Sequence, residues 1–123
     1  MKKRMKNNKD NHRIRVAIDC TTYIKGVVGG FETYINNLLE GLNSINLNDI
    51  SITIFCRKDQ YGSFSHLTNL NIQCALITSP YARIIWQNLI LPFKSIKFDV
   101  ILFPANYRPI FIFCKSVTVI HDL

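Results

Sequence analysis

Short apolar runs alternate with amphipathic stretches along this chain, and the first pair sets the pattern. Residues 14–19 form a β-branched, largely apolar run, which is typical of a strand buried on both faces of a parallel sheet. A loop with Gly26, Gly29 and Gly30 follows. Beyond it, apolar side chains recur at spacings of three and four, which predicts a helix from about residue 30 to 43. They are Phe31, Tyr34, Ile35, Leu38, Leu39 and Leu42.

The alternation continues to the end of the chain. Residues 57–71 are polar and irregular, with room for a short helix near residues 61–67, and residues 110–114 are apolar but ambiguous in type. Four further apolar runs, bounded by turn-forming residues, predict strands. These strands cover residues 50–56, 72–77, 98–103 and 116–120.

A second helix is predicted at residues 81–94, where apolar side chains again follow helical spacing. Pro92 lies inside this pattern, lacks a backbone N–H and crowds the Asn88 carbonyl with its ring, so we expect a kink or break there. We expect Trp86 to belong to the core and not to a site, because it lies on the apolar stripe. That stripe consists of Ile85, Trp86, Leu89, Ile90 and Phe93.

Strands alternating with helices predict an α/β fold, here a Rossmann-like parallel sheet of about five strands with flanking helices. Ligands of such sheets bind outside the carboxyl ends of the strands. Polar residues follow the predicted strands there, including Asp19, Arg57, Asn106 and His121. The helix that starts near Gly30 adds free N–H groups and the positive end of its dipole. The pattern therefore predicts a site for a phosphate or a crowded polar ligand at one rim of the sheet.

The positive charge of the chain is concentrated at its start. The whole chain of 123 residues carries a net charge of +7, of which residues 1–15 contribute seven Lys or Arg and one Asp. We expect residues 1–12 to form a disordered basic tail, with contact to anionic lipid as an alternative and nucleic acid unlikely as a partner. The remaining residues, 13–123, are enough for one domain.

Several common chemistries are excluded or disfavoured by the motifs. The four cysteines form no CxxC pair, so a zinc or redox site is not indicated, and reduced thiols of a cytoplasmic protein are the simple interpretation. The glycine loop lacks GxGxxG, and Arg57 and Lys58 stand where an acid would bind a ribose, which disfavours NAD. No P-loop, metal cluster or catalytic carboxylate pair is present in the sequence, and no cofactor is expected.

Three short segments remain as candidate sites, each with an ordinary structural alternative. Gly29 and Gly30 suit a phosphate-binding turn before a helix, but glycine pairs also form plain turns. His121 and Asp122 end the chain at the predicted rim, although a histidine there is often only structural. The third segment contains Asn106 and Tyr107, which equally suit a polar loop between prolines.

Taken together, four stretches resemble the N-terminal domain of GT-B glycosyltransferases of family 4. The first joins Ile18, Asp19 and Cys20 to GGFETYINNLL at residues 29–39. The others are IWQNLILP at residues 85–92, FDVILFPANY at residues 98–107 and VTVIHDL at residues 117–123. Their order along the chain is that of the family, and the resemblance covers about residues 14–123.

The resemblance implies roles for most of the candidate residues. Members of the family transfer a sugar with retention and without a metal, between an acceptor on the N-terminal domain and a nucleotide-sugar donor, the co-substrate, on a C-terminal domain. Gly29 and Gly30 would lie near the donor diphosphate. His121 would act as the catalytic residue that contacts the donor sugar. The position of Asp122 beside it, and not the resemblance, suits Asp122 to orient the ring or to cap a following helix. Asn106 and Tyr107 would lie near a carbohydrate or lipid-linked acceptor.

The family continues beyond the position of Leu123, so we expect this chain to be an incomplete N-terminal domain of a GT-B fold. It would be a fragment, the product of a truncated gene, or one part of a split enzyme for which a partner chain supplies the donor domain. The complete enzyme would make a cell-envelope polysaccharide or glycolipid. The basic tail, together with Trp86, Lys94 and Lys97 on the bent helix, would suit a cytoplasmic protein at the membrane surface. The alternative is a non-catalytic interaction module or remnant of such an enzyme.

This expectation predicts that the chain alone has no transferase activity, because the resemblance assigns nucleotide binding to the other domain. Incubation of the purified polypeptide with a panel of nucleotide sugars should release no nucleoside diphosphate above the buffer control. Measurable turnover of any of them would contradict the expectation.

Overall fold

The computed structural model describes residues 13–26, 30–45, 48–104 and 109–119, and contains one five-stranded sheet. The strand order is β3-β2-β1-β4-β5, and every neighbouring pair is parallel. This confirms the predicted α/β architecture with a parallel sheet. The strands are β1 (Ile14–Cys20), β2 (Ile50–Arg57), β3 (Asn71–Ala75), β4 (Val100–Phe103) and β5 (Lys115–Thr118).

Helices flank this sheet. The helix α1 (Gly30–Ser44) follows β1, and a 3₁₀ helix (Lys58–Ser63) follows β2, slightly earlier than the short helix predicted there. Between β3 and β4 lie α2 (Pro80–Ile85), a π-helical segment (Trp86–Ile90) and α3 (Leu91–Ser95), which run on directly and are here called the crossover helix. Among the described residues, no helix combines the length and apolar composition that crossing a bilayer requires.

No break occurs at Pro92, because the crossover helix runs on through it, and the helix is irregular in the π segment just before it. Pro92 is the second residue of α3 and has no N–H to donate into the helix. Just before it, the Leu91 N–H donates to the Trp86 carbonyl, five residues back, as in a π turn. One extra residue is thereby accommodated without ending the helix.

The two faces of the sheet carry two separate cores. Right-handed connections place α1 on one face and the crossover helix on the other. The α1 core contains Ile18, Ile35, Leu39, Ile54 and Phe64, which confirms the apolar stripe predicted for α1. The opposite core contains Ala17, Phe55, Trp86, Leu91, Ile101 and Phe103.

The apolar stripe predicted for the second helix is wrong except at Trp86. Trp86 is buried and lies edge-on to Phe55, with ring centroids 5.5 Å apart, so it is core and takes no part in a surface contact. The other stripe residues, Ile85, Leu89, Ile90 and Phe93, are exposed. The π segment shifts the buried positions to Trp86, Gln87, Leu91, Pro92 and Ser95.

An ion pair fixes the start of β1 beside the start of β4. The Arg15 N–H donates to the Asp99 carboxylate at 2.7 Å, and the Asp99 N–H donates to the Arg15 carbonyl at 2.8 Å. The hydrogen bonds from Arg15 hold the pKa of Asp99 below its usual range. This contact lies where the strands begin, which we call the amino rim. The opposite edge, where the strands end, is the carboxyl rim.

All four cysteines are free thiols, and they differ in exposure. Cys20 and Cys56 are buried register partners on β1 and β2, whereas Cys74, the register partner of Cys56 on β3, is exposed. Burial raises the pKa of the Cys20 thiol, and burial together with the neighbouring Cys74 raises that of Cys56 to about 12. Both buried thiols therefore act as small core side chains.

Native thiol reactivity should follow this order. At about pH 8, a disulfide reagent such as Ellman's should modify Cys74 rapidly and reach Cys20 and Cys56 only on unfolding, because a thiol reacts as its thiolate and must be accessible. Cys74→Ser should remove the fast phase, whereas Cys114→Ser should leave it in place. A fast phase that survives in the double variant Cys74→Ser, Cys114→Ser would contradict the burial of Cys20 and Cys56.

Candidate functional site

The carboxyl rim contains a point where the chain reverses its direction across the sheet. Connections from β1 lead outward to β2 and β3, and the crossover helix then returns the chain to β4 on the other side of β1. The crevice between the ends of β1 and β4 is therefore the topological switch point, where ligands of open α/β sheets bind. Val119, directly after β5, lies at the same rim, since its N–H donates to the Phe103 carbonyl.

A buried polar network lies at the end of β1. The Asp19 side chain is only 3% exposed and accepts hydrogen bonds from the Thr21 N–H at 3.0 Å and the Thr21 hydroxyl at 2.5 Å. The Gln87 amide donates to the other Asp19 oxygen at 2.8 Å. Gln87 comes from the π segment, so the network ties the end of β1 to the crossover helix.

The charge of Asp19 is set by opposing effects. Burial raises the pKa of this carboxyl above its ordinary value of 3.8, while the donors on Thr21 and Gln87 and the nearby Arg83 act in the lowering direction. With its oxygens already hydrogen-bonded and shielded from solvent, Asp19 is suited to hold the β1–α1 loop in position. It is poorly placed to exchange protons with a ligand.

Three buried polar atoms near this network have no hydrogen-bond partner among the described residues. They are Gln87 Oε1, Thr22 Oγ1 and Arg83 Nε. Buried polar groups are usually satisfied by protein, by ordered water or by a ligand, so unpartnered ones are unusual. Gln87 belongs to the Asp19 network itself, and Thr22 directly follows Thr21 in the chain.

The β1–α1 loop is held against the first turn of α1. Gly26 has a φ of +86°, which favours glycine, and its N–H donates to the two Glu32 carboxylate oxygens at 3.0 and 3.2 Å. Gly30 begins α1, is exposed, and would have no atom within 4 Å of an added Cβ. Among the described residues, nothing obstructs the approach to the first turn at Gly30.

Of the predicted site residues, Gly30 alone lies in the described part of the chain. Gly29, Asn106, Tyr107, His121 and Asp122 fall outside the described residues. In the described ranges, no group of three His, Cys, Asp or Glu side chains is arranged to hold a metal ion.

The sequence analysis missed the contact of Asp19 with Gln87. One signal was available, because Asp19 is a charged residue at the end of an otherwise apolar strand, where a buried partner is required. The partner itself is 68 residues away and lies beside Trp86 on a stretch that is mostly apolar.

A second opening lies farther along the carboxyl rim. Residues after β2 and β3 line an open groove of about 570 Å³ that includes Arg57, Lys58, Asp59 and Thr78. The Arg57 guanidinium is held by Asp59 at 2.9 Å, so Lys58 is the exposed cation there. The groove lies at the ends of the outer strands and is distinct from the switch point.

Asp19→Asn tests whether the buried carboxyl favours its protonated form. Because the folded-state pKa is raised, the stability of the wild type relative to the Asn variant should be greatest near pH 4. It should fall as the pH rises through the raised pKa, and stay constant above it. Urea denaturation of both proteins from about pH 4 to about pH 8 measures the difference. A relative stability that increases with pH would contradict the raised pKa.

Comparisons with protein-family models, curated proteins and solved structures find no match to this chain. The α/β, Rossmann-like fold is accordingly assigned from the parallel strands and their order alone. The candidate site is likewise defined by the chain's own geometry, at the switch point between β1 and β4.

Proposed function

We propose that this chain is the acceptor-side portion of a retaining, nucleotide-sugar-dependent glycosyltransferase of the GT-B type, with an N-terminal domain like that of family 4. The observation that carries the proposal is the open start of α1 at Gly30, on the carboxyl rim of a parallel sheet and next to its switch point. A helix start of this kind presents N–H groups and positive potential to an anionic ligand.

The arrangement of the resembling stretches supports the proposal. They include the end of β1, the first two thirds of α1, the π segment of the crossover helix, β4 and the last two residues of β5. In the sheet, β4 lies between β1 and β5, and the Gln87 amide contacts Asp19 across the face. The described parts of stretches that are far apart in sequence are thus neighbours in the sheet or across its face, which supports a common site for them.

The chemistry proposed for this rim is electrostatic stabilisation of a leaving diphosphate. When the glycosidic bond to the donor breaks, negative charge develops on the diphosphate, and N–H groups already aimed at that charge lower the barrier. Gly30 has no side chain to block a close approach, and the Asp19 network with Glu32 holds the loop that leads into α1. The nucleotide would be bound by a donor domain, in this protein or on a partner chain.

The other roles, apart from that of Asp122, follow from the resemblance and remain part of the same proposal. His121 would contact the donor sugar at the reacting centre, and Asp122 would orient its ring. Asn106 and Tyr107 would contact the acceptor, a carbohydrate or a lipid-linked precursor of the cell envelope. The proposed reaction uses no metal or resident cofactor, because backbone N–H groups would stabilise the negative charge of the diphosphate.

Gly30→Val tests the role of the helix start, with Gly41→Val as its matched control. Both glycines lie on α1, and an added Cβ would meet nothing within 4 Å at either position. They are separated by eleven residues, or about 16 Å of helix. A branched side chain at residue 30 should obstruct the diphosphate, whereas one at residue 41 should not.

The measurement is sugar incorporation from labelled nucleotide sugars in an extract of the source cells depleted of this chain with an antibody. Depletion should lower incorporation, wild type and Gly41→Val should restore it, and Gly30→Val should restore roughly a tenth or less. Thermal unfolding monitors folding of both variants. Undiminished incorporation after depletion would refute the proposal and favour a non-catalytic module. Full rescue by Gly30→Val would refute the role of the helix start.

A further inference from the structure

The crossover helix is apolar on both of its sides. One side packs Trp86 and Leu91 onto the sheet. The other side presents Ile85, Leu89 and Phe93 outward, with Leu89 62% and Phe93 70% exposed. A surface helix of a globular protein normally turns mostly polar residues outward, so a helix with large apolar side chains on its outer side indicates an outer contact.

The chain segment before β5 extends this outer surface. The Ile110 N–H donates to the Asn88 side chain at 3.1 Å, and the Phe113 N–H donates to the Ser95 hydroxyl at 3.0 Å. The rings of Phe93 and Phe113 lie 6.4 Å apart. We define the apolar ridge as Ile85, Leu89, Phe93, Ile110, Phe111 and Phe113, all of which are exposed.

The charges near the ridge have one sign. Neither residues 60–98 nor residues 100–119 contain an Asp or Glu. Lys94, Lys97 and Lys115 lie where the crossover helix ends and β5 begins, at the amino rim. Asp99, the one acid between these segments, is engaged by Arg15. The ridge is therefore an apolar surface with a cationic border.

We propose that the apolar ridge rests on an anionic lipid bilayer, with its aromatic and aliphatic side chains at the level of the headgroups and the lysines of the amino rim on the lipid phosphates. Proteins bind the interface of an anionic membrane through surfaces on which apolar side chains are bordered by Lys. A second copy of the ridge would offer these lysines no acidic partner, because Asp99, the one acid of residues 60–119, is engaged by Arg15.

This inference does not depend on the proposed sugar transfer. It concerns the outer surface of the crossover helix, whereas the proposed site uses the carboxyl rim. It also differs from binding through the basic residues 1–12, because it requires the ridge side chains themselves.

Sedimentation with vesicles tests the proposal on the full chain. Wild type should sediment with phosphatidylcholine vesicles that contain phosphatidylglycerol, and more weakly with phosphatidylcholine alone. The double variant Leu89→Gln, Phe93→Gln should bind roughly tenfold more weakly, since two apolar groups no longer enter the interface. Lys94→Gln with Lys97→Gln should remove most of the preference for the anionic vesicles.

The matched control is the double variant Tyr61→Gln, Leu76→Gln, which replaces two exposed apolar side chains outside the ridge. It should bind like wild type, and all variants should keep wild-type circular dichroism. Three results would overturn the proposal: no sedimentation of wild type, equal binding by the Leu89, Phe93 variant, or loss of binding only when residues 1–12 are deleted. A lipid-free dimer that the ridge variant dissociates would also overturn it, by assigning the ridge to a second copy.

Discussion

The buried Asp19 carboxyl is the group on which the arrangement of the candidate site depends. A carboxyl removed from water requires hydrogen-bond donors or its own proton, and Thr21 and Gln87 supply the donors. Because Gln87 belongs to the crossover helix, this network fixes where that helix lies over the end of β1. The loop toward α1 begins at Thr21, so the same network also sets how the chain approaches Gly30.

The two rims of the sheet have different chemistry, and the parallel strands keep them apart. At the amino rim, Arg15 and Asp99 align β1 with β4, and Lys94, Lys97 and Lys115 add positive charge. At the carboxyl rim, the start of α1 and the Asp19 network surround the switch point. A surface contact through the ridge and the amino rim would therefore leave the carboxyl rim accessible to substrates.

The sequence predicted the architecture more fully than the site. The β-branched runs and the α1 stripe were sufficient for the parallel sheet and for a helix start near Gly30, because their periodicity reports burial directly. The pairing of Asp19 with Gln87 could not be predicted, since a contact across 68 residues depends on strand order and helix placement. Most of the predicted site residues, His121 among them, fall outside the described part of the chain.

The sequence predicted the wrong buried side for the second helix because of one local feature, the π turn. The same feature also links the candidate site to the ridge. An uninterrupted α-helix with Trp86 inside would bury residues three or four positions later, among them Ile90. The π turn instead makes Leu91 the next residue buried beyond Gln87, five positions after Trp86, and turns Leu89 and Ile90 outward. Gln87 lies within this turn and reaches Asp19 from it. The deviation that completes the polar network on the inner side of the crossover helix thus also exposes apolar side chains on its outer side.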